Sequence, residues 1–257
     1  MSDAFAPLLA ELDLWRDAGR TATLWWRDDD AVKPTRQLDR LIELSRRGVP
    51  CGLAVVPLPA VTELAVQLLD EPFVEVLQHG YAHTNHAPPE VKSSEFGIQR
   101  DLDDRLADLA AGRDKLLHLF GHRFVPAFVP PWNRIGDDLL PHLAGLGYRG
   151  LSTFEPRKEA QPNGYTQVNT HVDPIHWKQN KIFRGAEHSV KQMVGHLSRR
   201  RLGEVDAEEA TGFLTHHLVH EEAMWDFMAE LFDLLAGRPE VTWLAPSQLW
   251  PPARVRL

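Results

Sequence analysis

Residues 24–30 read Leu-Trp-Trp-Arg-Asp-Asp-Asp, an apolar run that ends in three consecutive carboxylates. Like charges so close repel one another, and burial strips their hydration, so a pocket holds them only with positive charge among them. His79 and His83, four residues apart, supply neutral donors further along. A turn of helix between them would project both rings from one side. Two imidazoles and a carboxylate suit Zn²⁺ or another divalent first-row ion, and a catalytic site needs only three such ligands. Taken alone, the carboxylates read as a solvated acidic turn and the histidines as a surface pair. Together they favour a metal site.

The elements that must position these residues follow from periodicity. Residues 24–30, led by Thr21 and Thr23, read as a buried strand. Further strands are expected at 51–57, 73–77, 124–129, 148–153, 167–172, 212–215 and 241–244. Helices are expected within 1–20, from Pro34 to Gly48, and at 61–69, 98–120, 137–146, 187–201 and 221–235. Strand and helix alternate about seven times with no linker and no shift of composition. That pattern implies parallel strands flanked by helices. A closed or nearly closed α/β barrel is expected ahead of an open doubly wound sheet. The reactive residue types cluster at strand C-terminal ends, where barrels place their chemistry.

Composition sets the bounds. The chain has 257 residues, 43% apolar and 25% charged, with net charge −8. The only basic block, Arg199–Arg201, reads as a helix end, so neither nucleic acid nor an anionic membrane is expected as partner. Cys51 is the single cysteine, which excludes an internal disulfide and a thiolate cage. The amphipathic pattern of residues 1–20 is not that of a signal peptide, and a cytoplasmic location is expected. Trp25 and Trp26 precede the carboxylates within the strand and are expected in the core. His171 and His220 are expected to be structural. Alternation along 213–217 allows only one of His216 and His217 to face a pocket.

The ordered set of motifs resembles the NodB-homology polysaccharide deacetylases, which are distorted (β/α)₇ barrels. Trp26-Arg27-Asp28-Asp29-Asp30 is similar to the family's Thr-Phe-Asp-Asp-Gly, and His79-Gly80-Tyr81-Ala82-His83 to its His-Ser/Thr-x-x-His. Val129-Pro130-Pro131-Trp132 resembles Arg-x-Pro-Tyr/Trp, Asp173-Pro174-Ile175-His176-Trp177 resembles Asp-x-x-Asp-Trp, and Leu214-Thr215-His216 resembles Leu-x-His. The resemblance spans residues 26–216 and implies one catalytic domain over 1–257.

It also implies roles. Asp28 would be the general base. Asp29, His79 and His83 would hold a divalent metal, Zn²⁺ first, with Mn²⁺, Fe²⁺, Ni²⁺ or Co²⁺ as alternatives. His216 would be the general acid. Pro131 and Trp132 would wall the pocket and serve the oxyanion. Apart from the resemblance, Trp177 is expected either to stack on a sugar ring or to lie in the core, and Arg184 to bind either substrate or a buried carboxylate. The implied activity is removal of an acyl group, N- or O-acetyl, from a carbohydrate or sugar-like substrate. The alternatives are a deacylase of a small intracellular amide and a catalytically silent binding relative. Three positions depart from the family pattern: Asp30 stands for its Gly, Val129 for its Arg and His176 for its second motif-four Asp. Arg27 or Arg134 is expected to supply the missing positive charge, and Asp173 to orient His216.

Overall fold

A computed structural model of the chain describes residues 3–252. Strand β1, Ala22–Ala31, lies at the centre of a parallel sheet. Paired on both edges and covered on both faces, it is apolar almost throughout its first half, as a buried parallel strand must be. In chain order the other strands are β2 (Cys51–Val55), β3 (Val74–His79), β4 (Phe124–Val129), β5 (Gly150–Leu151), β6 (Thr166–Gln167), β7 (Ile175–His176), β8 (Ile182–Phe183), β9 (Thr211–Thr215) and β10 (Val241–Trp243). Strands β9, β1, β2, β3, β4, β5 and β6 pair in that order, all parallel. Leu24 pairs with both Trp243 and Thr211, so β10 lies on the edge of β1 opposite β9, the edge it shares with β2. β7 and β8 form a separate antiparallel hairpin.

The sheet curls back on itself. Past β6 the chain stays extended, and Thr170 N–H donates to Thr153 O at 3.0 Å. On its other edge, His171 N–H donates to Gly212 O at 2.8 Å and Leu214 N–H to Val172 O at 2.8 Å. Residues 166–172 therefore join β5 to β9, giving the seven-stranded distorted barrel expected. Helices α1 (Ala6–Asp17), α2 (Arg36–Ser45), α3 (Thr62–Gln67), α4 (Leu102–Phe120), α5 (Ala186–Leu202), α6 (Glu222–Leu235) and α7 (Pro246–Leu249) complete the fold. No helix among the described residues is long and apolar enough to cross a membrane.

Strand alternation sorts the core into two layers. Trp25, Ala54, Leu77, Ala127 and Val129 point inward and pack with Trp250. Trp26, Leu53, Val76 and Phe213 point outward, in one cluster with residues of α1, α2 and α6. Both tryptophans are fully buried, as expected. The same period of two places Arg27 and Asp29 inward and Asp28 outward.

Two expectations need correction, and one element was not anticipated. Residues 137–146 form turns and one short 3-10 segment, Leu140–His142, instead of a helix. Pro141 lacks an N–H, and Gly136, Gly145 and Gly147 bracket too short a stretch. Helix α4 starts at Leu102, not 98, because Asp101 caps it by accepting from Asp103 N–H at 2.8 Å. The β7–β8 hairpin was not legible, since strands of two residues carry no periodicity.

Gly212, on β9, faces the barrel interior with no room for a side chain. A Cβ there would sit 2.4 Å from Asn169 O and 2.6 Å from Thr170 Cα, both backbone atoms that cannot swing away. Gly212→Ala is expected to cost about 1–3 kcal/mol of stability by overpacking. An unfolding midpoint in urea equal to that of the parent chain would refute this account of barrel closure.

Candidate active site

A cleft of about 720 Å³ opens at the C-terminal ends of the barrel strands. Asp29 and Asp30 from β1, His79 from β3, Trp132 and Asn133 after β4, Glu155 after β5 and His216 after β9 all line it. Among the described residues, seven non-glycine residues have positive φ, and six of them line this cleft: Asp30, His83, Trp132, Asn133, Glu155 and Lys181. Such strain costs on the order of 1–3 kcal/mol per residue and persists where the side chain must point a particular way.

Asp30 shows why. Alternation would turn Asp29 inward and Asp30 outward. The β1–β2 register slips between Asp28 and Ala31, and Asp30 has φ 76°. This bulge re-aims Asp30, so two successive carboxylates face the cleft. The carboxylate brought to the two histidines therefore differs from the one the resemblance implies. Asp30, and not Asp29, meets the histidines: its Oδ1 lies 3.1 Å from His79 Nε2 and 3.3 Å from His83 Nε2.

The two histidines do not share a helical turn. His79 ends β3, Gly80 turns the chain at φ 59°, and His83 itself has φ 55°. A Cβ on Gly80 would lie 2.1 Å from Glu95 Oε2, so only glycine fits. Glu95, fully buried, accepts from Tyr81 N–H at 3.1 Å and Ala82 N–H at 2.7 Å and fixes this loop. The ring of His83 packs on Trp132, with centroids 4.6 Å apart. Pro131 packs against Gly80 and supports the loop from below.

These three residues fit a divalent cation. His79 Nδ1 lies 3.0 Å from Val129 O, an atom that only accepts, so Nδ1 carries the ring proton and Nε2 presents a lone pair. That lone pair faces Asp30 Oδ1, a buried oxygen with no hydrogen-bond partner. When His79 is protonated on both nitrogens instead, burial still pushes the Asp30 carboxyl upward, but the contact with that imidazolium and its charge, with the charges of His216 and His83, hold it well below the usual range. An ionised oxygen and two imidazole nitrogens, all within 4.8 Å of one another, form a carboxylate–histidine donor set.

A second group, His171, His196 and Glu209, also brings possible ligand atoms together. It does not suit a cation. Gly212 N–H donates to His171 Nδ1 at 2.9 Å, so the neutral ring keeps its proton on Nε2, the nitrogen 3.4 Å from Glu209 Oε2. The rings of His171 and His196 stack at 3.4 Å.

Asp29 is held by Arg27, one of the two residues expected to supply positive charge. Arg27 Nε lies 2.9 Å from Asp29 Oδ1, and a terminal nitrogen donates to Oδ2 at 3.1 Å. The guanidinium is fully buried and also donates to Asn133 Oδ1 at 2.7 Å and Ser152 Oγ at 2.7 Å. Arg134 lines the cleft but donates to Ser93 O at 2.7 Å, away from the carboxylates. Across the cleft, His216 Nε2 stands 3.9 Å from Asp29 Oδ2.

The remaining expected residues divide. Asp28 does not line the cleft; it is fully buried against Thr215 and His217. Burial pushes its carboxyl upward, but the charge and hydrogen bond of His217 outweigh this and hold it below the usual range. Asp173 does not touch His216. It accepts from Trp177 Nε1 at 2.7 Å and Ile175 N–H at 3.0 Å, and Trp177 packs edge-on against His216 at 4.5 Å. Arg184 is exposed beside the hairpin and does not line the cleft; its N–H donates to Pro174 O. His176 lies in β7, outside the cleft lining. Glu95, Asn133, Ser152, Glu155 and Lys181 were not singled out from sequence. Only the shared parity of Arg27 and Asp29 offered a signal for the ion pair.

Comparison with protein-family models finds no match, and comparison with curated proteins finds none either. Solved structures share the fold. A Mycobacterium smegmatis protein provisionally described as a polysaccharide deacetylase superposes with a TM-score of 0.60 at 17% identity, over 90% of this chain and 89% of that one. A family 4 carbohydrate esterase from Streptomyces lividans, solved with acetate, gives 0.57 at 16% identity, over 88% and 94%. A family 4 acetyl xylan esterase from Clostridium thermocellum, solved with a cobalt ion, gives 0.52 at 13% identity, over 88% and 89%.

Arg27→Ala would leave Asp29 buried and unpaired. The expected cost is about 3–5 kcal/mol, as for other broken buried ion pairs. Chemical denaturation measures it, and a loss below about 1 kcal/mol, the range of surface pairs, would remove Arg27 from its central place. The buried imidazoles predict a pH dependence. Burial pushes His171 down to about 3, His196 to about 2 and His220 to about 4. Below pH about 6.5 the unfolded chain takes protons there that the folded chain refuses, so stability falls as pH drops through that range. Burial pushes Glu209 the other way, up to about 7, so its contribution is full below the ordinary carboxylate value and fades as pH rises through about 7. Three imidazoles outweigh one carboxyl, and net stability is expected to fall on acidification from pH 6.5 towards 4.5. His196→Gln should flatten the slope, and an unaltered slope would contradict the assignment.

Proposed function

We propose that this chain is a divergent NodB-homology deacetylase, a metal-dependent hydrolase that removes an acetyl group from an N- or O-acetylated sugar or sugar-like molecule. The observation that carries this reading is one convergence. Asp30, His79 and His83 meet at one point, beside an Asp29 that is paired to Arg27 and faced by His216. The shared fold with carbohydrate esterases and deacetylases supports it. Relative to the family's first motif, the register moves by one residue: Asp29 and Asp30 take the places of its two aspartates, and Ala31 that of its glycine. Arg27 stands in for the motif-three arginine missing at Val129.

Asp30, His79 and His83 would hold the cation, Zn²⁺ being the first candidate. Once bound, the ion supplies Lewis acidity, which makes a water easier to deprotonate and a carbonyl easier to attack. Asp29, fixed in orientation by two Arg27 nitrogens, takes the proton of the attacking water as its oxygen bonds to the acetyl carbon. The Trp132 backbone N–H donates to the developing oxyanion. His216 gives a proton to the departing sugar nitrogen or oxygen as the bond to the acetyl carbon breaks. Trp177, Leu214 and Trp132 give the site apolar walls. A second reading, a carbohydrate-binding relative without turnover, draws on His216 Nδ1, which is buried with no hydrogen-bond partner.

The test is acetate release from acetylated oligosaccharides by Zn²⁺-loaded protein. Asp29→Asn is expected to lower kcat by about 10²–10⁴-fold, the usual worth of a general base, while metal content stays at that of the parent. Asp30→Asn is expected to lose the metal as well. Turnover that survives Asp29→Asn sinks the proposed base. Tight oligosaccharide binding with no acetate released selects the second reading.

A further inference from the structure

We infer that Asp28 is a positioning residue that grips the chain on both sides of His216 and so aims that imidazole into the cleft. The inference rests on the reading of His216 as the general acid.

The ring of His216 is poorly fixed by its own atoms. Nδ1 has no partner, and Nε2 is the atom that faces Asp29. A carboxylate on Nδ1 would usually set such a ring, yet Asp173, the residue expected in that place, is committed to Trp177 and Ile175. What remains is the edge contact with Trp177 and the backbone N–H, which donates to His220 Nε2 at 3.3 Å. The aim of the ring is therefore set by its backbone.

Asp28 supplies that constraint. Its Oδ2 accepts from Thr215 Oγ1 at 2.6 Å and from His217 N–H at 2.9 Å, and its Oδ1 meets His217 Nδ1 at 2.5 Å. The residues before and after His216 are thus tied to one carboxylate. Thr215 cannot turn away, because its oxygen also accepts from Trp26 Nε1 at 2.7 Å, which directs its single proton to Asp28. Asp28 and Thr215 are register partners across β1 and β9, and β1 continues directly into Asp29 and Asp30. One strand end therefore carries the base, a ligand and the anchor of the acid. The pair is no proton relay to the cleft, since His217 is fully buried, its Nε2 has no partner, and neither residue lines the cleft.

The test compares metal-loaded full-length protein with Asp28→Ala and Asp28→Asn. It reads kcat and KM for acetate release, metal content, and amide hydrogen exchange over residues 213–219. Asp28→Ala is expected to lower kcat by about 10²-fold, the scale of an ångström of misplacement, with KM and metal content close to those of the parent and faster exchange at 215–217. In Asp28→Asn the amide oxygen can accept from Thr215 and His217 N–H. Its nitrogen can donate to His217 Nδ1 once that ring shifts its proton to Nε2, so this variant should recover most of the lost kcat. Parental kcat in Asp28→Ala overturns the inference. So does an Asp28→Asn as inactive as Asp29→Asn, which would make the charge of Asp28 itself the requirement. If the parent releases no acetate, exchange decides alone: unchanged exchange in Asp28→Ala overturns the grip, and faster exchange upholds it while the catalytic reading fails separately. If Asp28→Ala does not fold, Thr215→Val removes one of the three donors and is read in the same way, with a smaller expected loss.

Discussion

Three adjacent carboxylates at the end of one strand cannot be buried together unless each finds its own compensation. The structure gives each a different answer. Asp28 turns outward and takes the hydroxyl of Thr215 with the backbone and ring of His217. Asp29 turns inward and takes the guanidinium of Arg27. Asp30 is swung by a bulge towards two imidazoles. The loops that follow β3, β4, β5 and β9 bring those partners to one end of the barrel, so the demand of one strand organises the whole face.

Arg27 ties several of these loops together. A single guanidinium reaches Asp29, Asn133 after β4 and Ser152 after β5. Its planar array of donors makes such branching possible where a lysine would offer a point charge. A buried ion pair is weak evidence for stability, because desolvation offsets much of the attraction. This one is better understood as holding a carboxylate in place. The left-handed residues around the cleft belong to the same pattern: local strain is kept at the site and balanced by anchors such as Glu95, which fixes the loop between His79 and His83.

Fold and chemistry stand on different supports. The barrel is shared with carbohydrate esterases and deacetylases at identities of 13–17%, and a fold by itself does not fix a reaction. The chemistry rests on residues of this chain. Two of them, Arg27 and Asp28, hold the neighbours of the cleft in place, Arg27 by its pairing with Asp29 and Asp28 by its bonds to Thr215 and His217. Positive charge comes from β1 itself, two residues before the carboxylate it pairs with.

Much of this was legible in the residues alone. Apolar runs ending in Asp, His or Pro-Trp gave the alternation of strand and helix and placed the chemistry at strand ends. The period of two continuing past β9 allowed only one of His216 and His217 to face the cleft, the family resemblance pointed to His216, and His216 lines the cleft while His217 turns to Asp28. The same period on β1 puts Asp29 beside Arg27. What residue types could not say is that the alternation breaks at the next position. Asp30 faces the cleft only because a register slip against β2 and a positive φ turn it there. That conformation is a property of packing between strands distant in sequence. The set of residues able to do chemistry was therefore written in the chain, while the separate surroundings of Asp28, Asp29 and Asp30 were decided by tertiary structure, because one bulged residue changes which way a carboxylate points.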